Sequence, residues 1–336
     1  MKSLVVERPN QLEIQERPLP VPGPGQVRLR VRRAGICGSD VHISHGSNPF
    51  ARYPRVIGHE ILGTVDAIGD GVDFPPEARV VVDPVVGCGH CYPCSVGRPN
   101  VCTNLQVIGV HLDGGFSEYC CVPAENLHVV PEGIPDEHAV MIEPFAVAAN
   151  MIDRTGAGPE DIALVYGAGP IGLTVVQVLK RVHRVGTLIV TDRIDERLAA
   201  ACESGADVTL NTAREPLADK LAEMGVRPTL IIDAACHPAI AGEAIALASP
   251  AGRIGLMGFS AEPSLIVQQQ ITGKELSIFS SRLNARKFPK VITWMSQGLL
   301  APEKLVTHRF GMRDFARAFD VFEHDQTACC KVLLSF

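Results

Sequence analysis

Four cysteines, Cys88, Cys91, Cys94 and Cys102, constrain this chain more than any other feature. Two residues separate the first from the second and the second from the third, and seven separate the third from the fourth. The short gaps let neighbouring thiolates converge on one point, and the long gap lets a small lobe fold back over it. Four thiolates around one Zn²⁺ close a tetrahedron that leaves no position for a substrate. Gly87, Gly89, Pro93, Gly97 and Pro99 give the intervening loop little helix or strand character, so metal bonds must order it. The competing readings are a thioredoxin-like redox pair, which needs a different setting, and disulfides, which a reducing compartment disfavours.

With 336 residues, 46% of them hydrophobic, the chain has room for two domains with separate cores. No run of about 20 apolar residues is present, so no membrane span is expected. The first residues carry no apolar run ending in a small-residue cleavage site. A cytoplasmic location follows as an expectation, with the 11 cysteines kept as thiols or metal ligands. A net charge of −6 and dispersed arginines argue against nucleic acid as a partner. A small molecule is the expected partner, and an anionic one is not excluded, because one local arginine can outweigh a distant net charge.

The opening third reads as β structure. Apolar and polar residues alternate through residues 26–32, as in a half-buried strand, and residues 61–68 and 79–86 are further strand candidates. Near Met141 the pattern changes. Short apolar strands at residues 162–166, 187–191, 230–234, 253–259 and 276–280 then alternate with helix-compatible stretches such as residues 171–184 and 195–204. Such alternation predicts an α/β unit with a parallel sheet covered on both faces. From about Phe288 the rhythm ends in a helix and a final strand at residues 331–334.

Gly167-Ala168-Gly169-Pro170-Ile171-Gly172 follows the strand at 162–166 and opens a helix, and Asp192 lies 20 positions after Gly172 at the end of the next strand. Gly167 allows the tight turn, Gly169 lets the backbone approach a pyrophosphate, and Gly172 lets helix and strand pack closely. Pro170 and Ile171 begin the helix whose free N–H groups face the phosphates. Asp192 suits ribose hydroxyls and repels a 2′-phosphate, which favours NAD. Arg193 next to it can accept a 2′-phosphate and keeps NADP open. Arg197 is a further candidate cofactor contact.

Cys37, His59 and Glu60 form a second set of possible metal donors. A thiolate, an imidazole and a carboxylate leave a coordination position for water or substrate, as a catalytic zinc requires. Each alone also reads as a buried thiol, a satisfied histidine or a solvated glutamate. Glu143 lies where the pattern changes, and Asp40 could orient the His59 imidazole.

Together these elements resemble the zinc-dependent medium-chain dehydrogenases/reductases over essentially the full length. The matching segments are Gly-Ile-Cys-Gly-Ser-Asp at 35–40, Gly-His-Glu at 58–60, the four-cysteine lobe, Glu-Pro at 143–144 and the glycine motif at 167–172. Glu143-Pro144 is similar to the sorbitol and idonate dehydrogenase branch. Within it, the resemblance is to the bacterial starvation-sensing and L-gulonate, L-idonate or L-galactonate 5-dehydrogenase group. The resemblance implies a GroES-like β-rich catalytic domain over residues 1–147, with its zinc lobe at about 86–104. It further implies a Rossmann NAD-binding domain over 148–282, and a segment 283–336 that returns to the catalytic domain. It implies two Zn²⁺ per chain, the catalytic one held by Cys37, His59 and either Glu143 or Glu60. It implies that Ser39 starts a proton relay and that His42, which could equally be a surface histidine, continues it.

The activity so implied is oxidation of a secondary alcohol by NAD. The expected substrates, in order, are L-gulonate (to D-fructuronate), then L-idonate or L-galactonate at C5, then a neutral polyol such as sorbitol. Arg282 matches the place of a substrate-cleft arginine in sorbitol-type relatives; an arginine pairing across the seam is its alternative. A non-catalytic NAD-binding regulatory protein is the reading from another class. The strand at 276–280 resembles the edge strand that joins subunits in this family, so a homodimer or homotetramer is expected.

Overall fold

The computed structural model describes residues 1–336. Two compact units emerge, one comprising Met1–Glu143, Phe288–Ser296 and Leu305–Phe336, the other Pro144–Lys287 and Gln297–Lys304.

The first unit is built on a mixed sheet. Its strands run in the spatial order Leu127–Val129, Arg79–Val82, Glu60–Ile68, Gln26–Gly35, Lys331–Ser335 and Val306–Gly311, with Tyr119–Pro123 also paired to Gln26–Gly35. Alternation in the sequence explains the central strand: Val27, Leu29 and Val31 are buried among Ile61, Val80 and Val122, while Arg30 and Arg32 face solvent. The stretch expected as one strand over 79–86 is two, Arg79–Val82 and Val85–Val86. Pro84 has no N–H to give a ladder, and the Asp83 carboxylate accepts the Val85 N–H at 3.1 Å to make the turn. Register at the end of the central strand matters below: Gly35 lies opposite Glu60 on one side and opposite Leu333 on the other.

In the second unit six parallel strands lie in the order Val208–Asn211, Thr187–Asp192, Ile162–Tyr166, Leu230–Asp233, Arg253–Leu256 and Ser277–Ser280. The first of these six strands in sequence, Ile162–Tyr166, is thus central, and the order reverses beside it, as in doubly wound dinucleotide folds. Leu164, Ile189, Ile231, Ile245 and Ile254 form the apolar packing. The strand expected over 253–259 stops at Leu256, and Phe259 stands 69% exposed. Helix Pro170–Gln177 starts with a proline, where a missing N–H costs nothing. It then widens into a π turn at Val178–Val182. No helix is long and apolar enough to cross a membrane.

Candidate functional site

The sulfur atoms of Cys88, Cys91, Cys94 and Cys102 all lie within 4.8 Å of one another. The lobe around them has no apolar core of its own: Tyr92 is 78% and Val96 50% exposed. Its backbone instead points at the sulfurs. The N–H groups of Cys88 and Asn104 each donate to Cys102 Sγ at 3.3 Å. Those of Cys94 and Thr103 pull the Cys91 thiol down to about 5. Burial and the neighbouring Cys91 sulfur push Cys94 up to about 11, an opposition that a cation removes, because coordination requires the thiolate. Four convergent soft donors fit a closed zinc site.

The second donor set comes from two turns in the first unit. Cys37 precedes helix Gly38–Ser44, and His59 and Glu60 follow Gly58 at the start of a strand. A donor atom from each of Cys37, His59 and Glu60 lies within 4.8 Å of the others. Asp40 ties the two turns together. Fully buried, it accepts the Cys37 N–H at 2.9 Å and the Gly58 N–H at 3.1 Å. Its Oδ1 also stands 3.5 Å from His59 Nδ1. Burial works to discharge His59, but Asp40 and Cys37 outweigh it and hold the imidazole well above its ordinary pKa. Gly58 has φ +92°, and a Cβ there would sit 2.2 Å from the Phe116 ring, so only glycine makes this turn.

Glu143 is buried beside this group. Burial pushes its carboxyl up to about 7, opposed by His59 and Lys331 and reinforced by Glu60. Ser39 and His42 sit three residues apart on helix Gly38–Ser44 and so share a face. Ser39 is half-buried, and His42 is exposed with Nδ1 3.1 Å from Ser47 Oγ.

One residue here escaped the sequence reading. Lys331, 2% exposed, donates from Nζ to both carboxylate oxygens of Glu60, at 2.6 and 2.8 Å, and to the Ile36 carbonyl at 3.1 Å. Its one signal was a lysine opening an otherwise apolar strand.

In the second unit the glycine motif has the shape of a phosphate cradle. Gly167 adopts φ +89°, and its N–H donates to the Thr191 carbonyl at 2.8 Å. A Cβ at Gly172 would lie 1.9 Å from the Gly167 carbonyl oxygen, whereas a Cβ at Gly169 would meet nothing within 4 Å. Gly172 therefore serves packing, and Gly169 leaves bare backbone at a helix N-terminus for a phosphate to approach. Gly172→Ala is expected to lower stability by about 1–3 kcal/mol through overpacking. Gly169→Ala is expected to keep the parent melting temperature and weaken binding of NADH, read by its fluorescence. The reverse pattern would contradict these roles.

Asp192 is held by backbone donors from two loops. Its Oδ2 accepts the Ala168 N–H at 2.8 Å, and its Oδ1 accepts those of Arg193 at 2.7 Å and Ile194 at 3.1 Å, bracing both loops. Arg193 is exposed, and Arg197 is half-buried on helix Asp195–Ser204. The Arg282 guanidinium carbon sits 5.2 Å from the Phe259 ring centroid, and partial burial lowers its pKa.

Comparison with known proteins agrees with both halves of this picture. The alcohol dehydrogenase GroES-like domain matches residues 23–132, and the zinc-binding dehydrogenase domain matches residues 170–297. The starvation-sensing protein RspB of Escherichia coli K12 is 62% identical over 337 residues, covering 100% of this chain and 99% of that protein. The L-galactonate-5-dehydrogenase of the same strain is 32% identical over 329 residues, covering 97% of this chain and 95% of that protein. A crystal structure of the RspB alcohol dehydrogenase from E. coli CFT073, complexed with NADH, superposes with a TM-score of 0.98 at 62% identity, covering 100% of this chain and 99% of that one.

Proposed function

The chain belongs to the zinc-dependent medium-chain dehydrogenases/reductases, and from that premise we propose that it oxidises the secondary alcohol of a hexonate or polyol with NAD, L-gulonate (to D-fructuronate) being the first substrate to test. The observation that carries the reading is the convergence of a sulfur, a nitrogen and an oxygen donor within 4.8 Å, apart from a second site of four sulfurs. When bound, the metal supplies Lewis acidity toward the alcohol oxygen, and the dinucleotide supplies the hydride acceptor.

The chain's own residues do the rest. Cys37 and His59 hold the ion, with Glu143 or Glu60 as the third ligand, and Asp40 keeps both turns in register. Ser39 takes the hydroxyl proton, and His42, exposed on the next turn, delivers it to solvent. Cys88, Cys91, Cys94 and Cys102 hold the structural ion. Gly167, Gly169 and Gly172 receive the pyrophosphate, and Asp192 accepts from the adenosine ribose. The NADH complex of a relative 62% identical supports NAD over NADP, and the L-galactonate-5-dehydrogenase relative supports a hexonate.

Arg282 is the proposed partner of the hexonate carboxylate. NADH formation from a panel of hexonates and polyols, with and without chelator, tests the whole reading. In that assay Arg282→Leu is expected to lower kcat/KM for L-gulonate by roughly 10–100-fold, the worth of a charge-assisted hydrogen bond. Sorbitol is expected to change little. Equal losses on both would exclude the carboxylate role.

We further propose a cytoplasmic homodimer or homotetramer. Ser277–Ser280 is an edge strand, and Ile278 on it and Leu265 are 39% and 87% exposed, which suits pairing with a second copy. Sedimentation at the mass of a single 36.0 kDa chain would overturn that assembly.

A further inference from the structure

Glu60 and Glu143 are both buried: Glu60 has a carboxylate oxygen within 4.8 Å of the Cys37 and His59 donors, and Glu143 lies where His59, Glu60 and Lys331 act on its charge. Both oxygens of Glu60 are occupied by one ammonium, Lys331 Nζ, at 2.6 and 2.8 Å. The arrangement is built across a glycine. Gly35 pairs with Glu60 on one side and with Leu333 on the other, and Lys331, two residues before Leu333, projects from the same face of its strand. The Glu60 carboxylate reaches over Gly35, where a Cβ would lie 1.9 Å from Oε2. Any side chain at position 35 would close that passage. The Lys331 ammonium is itself anchored by the Ile36 carbonyl at 3.1 Å, next to Cys37.

Resting on the zinc reading above, we propose that Lys331 is a positioning residue that holds Glu60 off the catalytic metal, leaving Glu143 as the third protein ligand and the fourth position open to the alcohol. A carboxylate oxygen that accepts a short hydrogen bond from an ammonium is a poorer metal donor, and here both are engaged. Charge points the same way. The Cys37 thiolate and two carboxylates around a divalent ion leave one negative charge over, and the Lys331 ammonium cancels it.

The test replaces the catalytic zinc by cobalt(II) and reads its visible absorption together with metal content and turnover. The parent and Lys331→Arg are expected to show the intense bands of a four-coordinate ion. Lys331→Met frees Glu60 to close on the metal, so the bands weaken as coordination number rises. Metal stays bound, and kcat falls by about 10–100-fold, as for other residues that orient metal ligands. The double variant Lys331→Met/Glu60→Gln is expected to recover the four-coordinate spectrum and most of the turnover, which a merely structural lysine would not allow. An unchanged spectrum in Lys331→Met, or no recovery in the double variant, overturns the proposal. Should Lys331→Met fail to fold, Glu60→Gln alone decides: it keeps the parent spectrum if Glu60 is off the metal and alters it if Glu60 is a ligand. A parent protein that takes up no cobalt at Cys37 and His59 would sink the zinc reading itself, before any variant is compared.

Discussion

Cys37→Ser is expected to bind NADH as the parent does and to lose at least about 10³-fold in turnover. A hydroxyl is a far weaker donor to zinc than a thiolate. Lewis-acid stabilisation by a metal is worth several kcal/mol of barrier, and each ~1.4 kcal/mol is a factor of ten. The dinucleotide loop lies in the other compact unit, built around Ile162–Tyr166 and Gly167, and none of its hydrogen bonds runs through Cys37. Elemental analysis is expected to find one zinc per chain in place of two. Full activity in this variant would refute the mechanism, and loss of NADH binding together with activity would show a folding defect in its place.

Cys91→Ser is expected to have the opposite profile, a local collapse. Residues 87–103 hold themselves mainly by short-range hydrogen bonds around the four sulfurs. Helix Tyr92–Ser95 spans only four residues, and Tyr92 and Val96 lie largely in solvent. A few hydrogen bonds, each worth about 1 kcal/mol net, do not replace a structural zinc that binds with about 10–16 kcal/mol in small peptides. The lobe is expected to lose at least about 4 kcal/mol of local stability and to open independently of the sheet. Limited proteolysis with mass mapping checks this: cuts should cluster within residues 87–103 while the remaining chain stays resistant. A lobe as protected as the parent's would mean that its fold does not depend on metal.

What could be read in advance divides along a physical line. Local spacing was informative. The four cysteines converge as their spacing predicted, and helix Asp195–Ser204 occurs where its pattern predicted. Strand ends were less legible. The strands expected over 79–86 and 253–259 both end early, the first at Val82 just before Asp83-Pro84 and the second at Leu256. Contacts between distant segments were hidden. Lys331 lies 271 residues after Glu60, and no periodicity near either residue announces the other. Only the sheet order, with Lys331–Ser335 laid against Gln26–Gly35, brings them together. The bracing of Ala168 by Asp192 was hidden for the same reason.

That sheet order sets a timetable for biosynthesis. Lys331–Ser335 is wedged between Gln26–Gly35 and Val306–Gly311, so a ribosome that has made 330 residues has produced a pocket still missing its ammonium and a sheet with an open slot. The second unit can wind up its parallel strands while translation continues, but the metal centre is finished only afterwards. Premature termination anywhere upstream of Lys331 therefore releases a chain with Glu60 uncompensated and backbone left unzipped along its central strand. Such a product is ready prey for quality-control proteases.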